Sequence, residues 1–367
     1  MSEPLRIGID ARELLGEVTG VGRYLGELIA RWTTRDDAAL RRFILYAPRP
    51  LGTTLPKQAA ETRVIPGGTG TWWEQTALRR AVRIDKPDIF FAPAYTAPLA
   101  IGVPFAVTIH DVSFLAHPEW FRPRERWRRR FLANRMAASA SVIFTDSEFS
   151  RSEIASLLHV DGDRLKVVPP GVSRTGAAVA SGDPAGDRDQ LVLFVGTLLN
   201  RRNLPELIAA FAKASTARPE ARLVIVGADR TWPRQDLKEA AAAYDVGSKV
   251  EIRSYLPHEQ LRDHYARASV FVFLSEYEGF GLTPLEALAA GVPIVVLDTP
   301  VAREVYGDVA AYVGVGDIEG TAAAIERFLA SRSAAREQLS RAPRVLARYS
   351  WDRAADATLR HLEQIGR

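Results

Sequence analysis

"LSEYEGFGLTPLEALAAG" (residues 274–291) is the stretch on which the fold turns. Two glutamates, Glu278 and Glu286, bracket seven residues that include two glycines and a proline. Just upstream, "SVFVFLS" (269–275) is a β-branched and aromatic run with the length of a buried strand. Downstream, "PIVVLD" (293–298) is another. Between them Thr283 suits a helix N-cap, Pro284 the first turn and Glu286 the third position of a capping box. Gly291 suits the residue just past the helix end. Strand, glycine loop, short helix and strand make one repeat of a parallel α/β sheet. Such a loop gathers free N–H groups at the positive end of a helix dipole, which favours an anion by about 0.3–1 kcal/mol per charge. Glu286 has two readings, a capping box or a ligand contact. Glu278 has no local structural reason, because nothing calls for an acid before Gly279.

The same alternation runs outward in both directions. In the first half, "RIGID" (6–10), "FILYA" (43–47), "IFFAPA" (89–94), "FAVTIHD" (105–111) and "SVIFTDS" (141–147) read as strands between amphipathic stretches. A second series comprises "LVLFVGT" (191–197), "RLVIVGA" (222–228), "KVEIRS" (249–254) and the two strands flanking the opening loop. The expected class is therefore α/β, with two doubly wound parallel-sheet domains covered by helices on both faces. The Gly-, Ala-, Ser- and Asp-rich stretch 173–190 reads as the linker between a first domain, 1–172, and a second, 191–350. "WDRAADATLRHLEQI" (351–365) reads as a closing helix that packs back on the first domain.

Composition narrows the class. With 47% hydrophobic and 25% charged residues, the 367-residue chain has the profile of an ordinary globular protein of two cores. Its apolar runs are strand-sized, too short to span a bilayer, and "MSEPLRIGID" has no apolar signal core. The expected location is cytoplasmic. The absence of cysteine excludes disulfides, thiolate nucleophiles and cysteine–metal sites. A net charge of +4 favours anionic partners without choosing among them.

Ligands of doubly wound sheets bind beyond the carboxyl ends of the strands, so the loops there carry the candidate chemistry. "TGVGRY" (19–24) places Gly20 and Gly22 at a helix start, either as a tight turn or as a close approach to a ligand. "TIHDVSF" sets His110 and Asp111 at a strand end, as structural groups or as an acid–base pair. The other histidines, His117, His159, His258, His264 and His361, lack such a setting. "VGTLLNRRNL" (195–204) carries Arg201 and Arg202, which can neutralise a diphosphate by bidentate hydrogen bonds. The pairs Asp161/Asp163 and Asp187/Asp189 lie in a turn and in the linker, not at strand ends, so no metal site is expected. "PEWFRPRERWRRRFLANRM" (118–136) reads as an amphipathic helix. Its arginines, Arg126, Arg129 and Arg130 among them, either form a solvated face or meet anionic headgroups or a phosphorylated acceptor.

Taken in order, "RIGID", "TGVGRY", "TIHD", "TDSEFSRSEI", "VVPPGV", "VGTLLNRRNL", "SEYEGFGLTPLEALAAGVPIVV" and "SWDRAADATL" resemble the landmarks of retaining glycosyltransferases of family 4, which have the GT-B fold. The likeness covers nearly the whole chain, and the acidic loop is its most specific part. It implies two Rossmann-like domains facing across a cleft, the first binding acceptor and the second nucleotide sugar. It also implies roles. Glu278 meets the donor hexose and Glu286 the ribose hydroxyls. Backbone groups of Gly279, Phe280, Gly281, Leu282 and Thr283 reach the sugar and diphosphate. Arg201 and Arg202 match the basic pair, His110 lies near the donor sugar, and Gly20 and Gly22 lie beneath the diphosphate. The loop "SYLPHE" (254–259), with Leu256, reads the base through its backbone. Thr197 stands where many relatives carry a further cation, Arg202 replaces a common lysine and Asn200 a frequent proline.

The implied reaction is metal- and cofactor-independent transfer of a hexose, mannose being the best match, from a nucleoside diphosphate sugar such as GDP-mannose. The implied acceptor is a saccharide or a lipid-linked glycan of the cell surface, with peripheral contact at the inner face of the membrane. Catalysis is assigned to Glu278, His110 and Arg202. A sugar-nucleotide epimerase or phosphorylase of the same fold needs acid–base or cofactor-lysine features that are absent here. A nucleic-acid-binding protein has only the 118–136 segment in its favour, so no nucleic-acid partner is expected. The sequence leaves the oligomeric state open.

Overall fold

The computed structural model describes residues 3–16, 19–52, 60–173 and 188–367. Among these residues, thirteen strands form two all-parallel sheets. The first contains β1 (Leu5–Asp10), β2 (Arg41–Ala47), β3 (Ala60–Val64), β4 (Ile89–Ala92), β5 (Phe105–Thr108), β6 (Val142–Thr145) and β7 (Leu165–Val167), in the order β3-β2-β1-β4-β5-β6-β7. The second contains β8 (Leu191–Val195), β9 (Arg222–Val226), β10 (Val250–Arg253), β11 (Val270–Phe273), β12 (Ile294–Leu297) and β13 (Ala311–Val313), in the order β10-β9-β8-β11-β12-β13. Each sheet is thus wound outward in one direction and restarted beside its first strand. The switch points fall between β1 and β4 and between β8 and β11, where side chains can converge on a ligand.

Every residue of β4, β5, β6, β8, β11 and β12 is buried, as expected of strands covered by helices on both faces. These are the runs legible in the sequence. β3, β7 and β13 were not anticipated, and all three are sheet edges. β3, "AETRV", is almost wholly exposed, while β7 and β13 have only three residues each. An edge strand pairs through its backbone on one side and needs no apolar run.

The chain divides into two compact units, one of Met1–Ala116, Pro123–Gly171 and Ser350–Arg367, the other of His117–Arg122 and Val172–Tyr349. The six residues 117–122 therefore belong with the second unit, although they fall inside the expected first domain. The expected 118–136 helix is accordingly interrupted. A 3-10 turn, Pro118–Trp120, is followed by the helix Pro123–Ser139. That helix buries only Leu132, Ala133, Met136 and Ala137, so its first half has no apolar seam and the amphipathic reading does not hold there. Of the linker 173–190, residues 174–187 lie outside the described residues.

The closing helix Trp351–Gly366 is capped by the Ser350 hydroxyl, which accepts from the Arg353 N–H. It buries Trp351, Ala354, Ala355, Thr358, Leu359 and Leu362, the i, i+3, i+4, i+7 spacing of one helix face. That face joins the core of the first unit with Leu25, Leu28, Trp32 and Phe43. Trp32 Nε1 donates to the Ala355 carbonyl at 2.9 Å, and Arg41 pairs with Glu363 at 2.5 Å. Gly171 permits this docking, since a Cβ there would collide with the Trp351 backbone and ring.

Candidate active site

The loops after β8, β9, β10 and β11 all leave the same, carboxyl, edge of the second sheet because its strands are parallel. The first and last of these flank the switch point, and they are laced together. Asn203, in the left-handed region at φ 50°, donates from Nδ2 to the Leu274 carbonyl at 3.2 Å and to Glu276 Oε1 at 2.9 Å. The Glu276 N–H donates to the Arg201 carbonyl at 2.9 Å. These bonds place a 3-10 turn, Asn200–Arg202, against the start of the acidic loop.

Glu278 is the centre of that junction. Its Oε1 accepts from Arg202 Nε at 3.0 Å and Ser275 Oγ at 2.8 Å, and Arg202 Nη2 lies 2.9 Å away. Arg201 Nη2 stands 3.9 Å from Glu278 Oε2. Arg202 also donates from Nη1 to the Thr197 carbonyl at 2.7 Å and sits 5.0 Å from the Phe273 ring centroid. Gly196 is obligatory here: its φ is +151°, and a Cβ would collide with the Arg202 guanidinium. Burial lowers the Arg202 pKa, opposed by the Glu278 carboxylate and reinforced by the charge of Arg201. Two arginines around one carboxylate leave a surplus of positive charge, as an incoming polyanion requires.

The helix begins two residues earlier than its sequence implies. It spans Leu282–Ala289, with Gly281 as the N-cap at φ 88°, ψ 70° and no side-chain cap. Gly281 turns the chain without steric cost, and its carbonyl accepts from the Tyr306 hydroxyl at 2.8 Å. Burial raises the Tyr306 pKa well above its usual value, with Glu278 adding to the effect, so the hydroxyl remains a donor. Pro284 then falls at the third helical position, where its missing N–H is still one of the unpaired first four. Of the two readings of Glu286, the capping box does not form, because the N-cap is Gly281. Glu286 lies in the second turn, buried, with its Oε2 3.5 Å from the Tyr265 hydroxyl. At the other end the helix closes as expected: Gly291, at φ 73°, donates to the Leu288 carbonyl at 3.0 Å, and Val292 to the Ala287 carbonyl at 2.8 Å. The Phe280 ring packs edge-on against Tyr349 at 5.0 Å, which leaves its backbone to the loop. Leu256 is half-buried in the loop after β10.

A separate polar cluster occupies the first unit. Thr19 caps the helix Gly20–Thr33, its Oγ1 accepting from the Gly22 N–H at 3.0 Å, and a Cβ on Gly22 would collide with the Glu13 carbonyl. From the same helix, the Tyr24 ring meets His110 edge-on at 5.3 Å. His110 Nδ1 lies 2.7 Å from Asp146 Oδ2, and Nε2 lies 3.0 Å from the Pro93 carbonyl. Burial alone lowers the His110 pKa; the Asp146 carboxylate and the Pro93 carbonyl outweigh it, so the net direction is up. Two acceptors facing both ring nitrogens favour the charged form of the ring. Asp111 is engaged locally, accepting from Tyr95 at 2.9 Å and the Ser113 N–H at 2.8 Å.

Asn203, Ser275, Glu276 and Tyr306 shape the site without having been anticipated from the sequence, and His117 packs on Tyr277 of the acidic loop. Asn203 before a helix was a visible signal. Tyr306 was not, because the helix that carries it gives no local hint of Gly281. Among the described residues no group of three or more His, Asp or Glu side chains is arranged to hold a metal. Asp163 N–H closes a turn on Asp161 at 3.2 Å and Asp189 pairs with Arg267 at 2.5 Å, while Asp187 lies outside the described residues.

Residues 18–175 match the family model "Glycosyltransferase Family 4", and residues 182–345 match "Glycosyl transferases group 1". The chain belongs to glycosyltransferase family 4. It is 28% identical over 368 residues to the O-antigen chain mannosyltransferase B of Escherichia coli, covering 93% of this chain and 95% of that protein. It is 31% identical over 208 residues to the GDP-mannose:cellobiosyl-diphosphopolyprenol alpha-mannosyltransferase of Xanthomonas oryzae, covering 56% of this chain and 52% of that one. In three dimensions it resembles the sucrose-phosphate synthase of Thermosynechococcus elongatus, with a TM-score of 0.76 over 99% of both chains at 19% identity. The likeness of fold, together with the two doubly wound sheets, makes this a GT-B protein. It is a glycosyltransferase of the bacterial mannosyltransferase-like kind.

Proposed function

We propose that this glycosyltransferase moves a hexose, mannose foremost, from a nucleoside diphosphate sugar to a saccharide or lipid-linked acceptor in cell-surface glycan synthesis, with retention of the α configuration and without a metal. The observation that carries the reading is the cluster of Arg201, Arg202 and Glu278 at the switch point of the second sheet, beside the start of the helix Leu282–Ala289. Similarity to two mannosyltransferases, one of them GDP-mannose-dependent by name, supports mannose and GDP.

In this reading the bond between the anomeric carbon and the phosphate oxygen breaks, and the electron pair leaves with the nucleoside diphosphate. Arg201, Arg202 and the N–H groups at the helix start stabilise that charge, the work a metal ion performs elsewhere. The Glu278 carboxylate stabilises and orients the positively charged sugar. The acceptor oxygen bonds to the same face, and its proton passes to the departing phosphate oxygen. No protein nucleophile is required. His110, its ring nitrogens facing Asp146 and the Pro93 carbonyl, orients the sugar beside Glu278. Glu286 takes the ribose hydroxyls and the loop at Leu256 the base. Gly20 and Gly22 keep their family role beneath the diphosphate, and Thr197, whose carbonyl holds Arg202, supports it.

Thermal-shift screening tests the donor. GDP-mannose at a hundredfold excess over its Kd stabilises the binding state by about 2.7 kcal/mol, and the melting temperature rises accordingly. Turnover with that donor is expected to persist in excess chelator. Loss of activity that magnesium restores rejects the metal-free reading.

The basic helix Pro123–Ser139 supports a membrane-facing role. Trp127 and Phe131 stack at 5.7 Å on its outer surface, 70% and 46% exposed, and Trp72 is 82% exposed. Arg128 donates to Thr71 Oγ1 at 2.9 Å, which brings the helix to the residue next to Trp72. Arg129 is tied to Glu125 at 2.7 Å, whereas Arg126 and Arg130 have no carboxylate partner among the described residues. Aromatic rings beside arginines suit an anionic bilayer surface, in line with a place at the inner face of the membrane. Among the described residues no helix is long and apolar enough to cross a membrane. Co-sedimentation with phosphatidylglycerol vesicles is expected at low salt and should weaken in Trp127→Ala. Equal sedimentation with neutral vesicles excludes this role.

A further inference from the structure

The segment His117–Arg122 is supplied by the first half of the sequence yet belongs to the second unit, and it touches three loops there. His117 stacks face to face on Trp120, centroids 4.0 Å apart and planes at 13°, and meets Tyr277 edge-on at 5.5 Å. Trp120 meets Tyr277 at 6.4 Å, and the Arg201 guanidinium lies 6.0 Å from its ring centroid. Arg122 sits 4.6 Å from the centroid of Trp232. The Trp232 N–H donates to Asn200 Oδ1 at 2.6 Å, and Asn200 Nδ2 donates to the Pro233 carbonyl at 2.9 Å. Six residues thus brace the acidic loop at Tyr277, the basic loop at Arg201 and the loop after β9 at Trp232.

The residues braced are those adjoining the cluster that carries the proposed donor site. Tyr277 is buried and directly precedes Glu278. Arg201 is buried, and its closest contact with Glu278, at 3.9 Å, is beyond hydrogen-bond distance. A π face attracts a guanidinium without consuming its N–H donors, so an arginine held on tryptophan can still bind phosphate oxygens. The chain on both sides of the segment, Ala116 and Pro123, belongs to the first unit. The donor loops of the second unit are therefore completed by residues from outside its own stretch of sequence.

We propose that Trp120 is a positioning residue for the donor diphosphate: its ring holds Arg201 and Tyr277, and through Tyr277 the adjoining Glu278, in the arrangement that receives the anion. This rests on the reading of Arg201 as a donor ligand. Full-length Trp120→Leu keeps an apolar side chain and loses the π face, whereas Trp120→Phe keeps a face. Calorimetric titration with GDP and UDP is expected to show binding weakened about 3- to 10-fold in Trp120→Leu and little changed in Trp120→Phe. The donor KM rises in Trp120→Leu and kcat falls with it, because Arg201 and Glu278 also face charge that develops in the transition state. A merely structural role lowers the fraction of sites titrated but leaves their affinity unchanged, and that result overturns the proposal. If Trp120→Leu does not fold, His117→Ala, which removes the ring stacked on Trp120, is titrated in its place; it should weaken binding about twofold or more, and unchanged affinity overturns the proposal. A parent protein that binds neither GDP nor UDP overturns the donor reading itself, an outcome distinct from a parent that binds and variants that match it.

Discussion

Replacing Glu278 by alanine is expected to lower kcat/KM for sugar transfer about 100- to 1,000-fold, the usual loss when one group aligned with transition-state charge is removed. Two effects act together. The carboxylate that faces the developing positive charge is gone, and so is the acceptor for Arg202 Nε and Ser275 Oγ. Arg201 and Arg202 are then left as neighbouring cations with no carboxylate between them. Their repulsion moves the basic turn away from the phosphate-binding geometry. Glu278→Gln separates the two effects, because the amide oxygen still accepts from Arg202 and only the charge is lost. Turnover of the alanine variant within threefold of the parent, across GDP-, UDP- and ADP-sugars, contradicts the assigned role.

The second large effect concerns stability. Trp351→Ala is expected to destabilise the first unit by about 3–5 kcal/mol, the range for deleting a buried tryptophan. Trp351 begins the closing helix, is 4% exposed, and packs on Gly171 and in the core with Leu25 and Trp32. Gly171 and Trp351 are far apart in sequence, so the cavity opens where the two ends of the unit meet and neither backbone can collapse to fill it. Calorimetry should show a lowered first transition. A change below about 1 kcal/mol would mean that the closing helix docks without this ring. A two-unit protein need not unfold in one step, so the comparison belongs to that transition alone.

Much of this was legible in the residues themselves. The central strands announced themselves because a strand buried on both faces must be apolar at consecutive positions, as in "LVLFV" and "IVVL". Gly291 was readable as a helix stop because only a left-handed residue closes that motif cheaply. Glu278 stood out because no local structure needed it. The basic pair at 201–202 was legible for a similar reason, since two cations at a turn before a helix are poorly placed unless an anion arrives.

Other features had no local signature. β3, β7 and β13 are strands only because a neighbour presents its backbone edge to them. Thr283, Pro284 and Glu286 spelled a capping box, but Gly281, held by the Tyr306 hydroxyl, starts the helix earlier and turns Glu286 inward towards Tyr265. His117 has no strand-end setting in the sequence, and its packing on Trp120 and Tyr277 exists only in the folded chain.

By itself, then, the sequence determined the class of the fold, the positions of the buried strands and the residues with unexplained charge, because apolar runs and glycines report local burial and local turns. Only the tertiary structure decided what those charges face. Arg202 and Glu278 lie 76 positions apart and meet because the winding of the second sheet sets β8 beside β11. His110 and Asp146 meet because β5 lies beside β6. A pairing between distant positions is fixed by the order of strands in a sheet, and that order is a property of the packed chain as a whole.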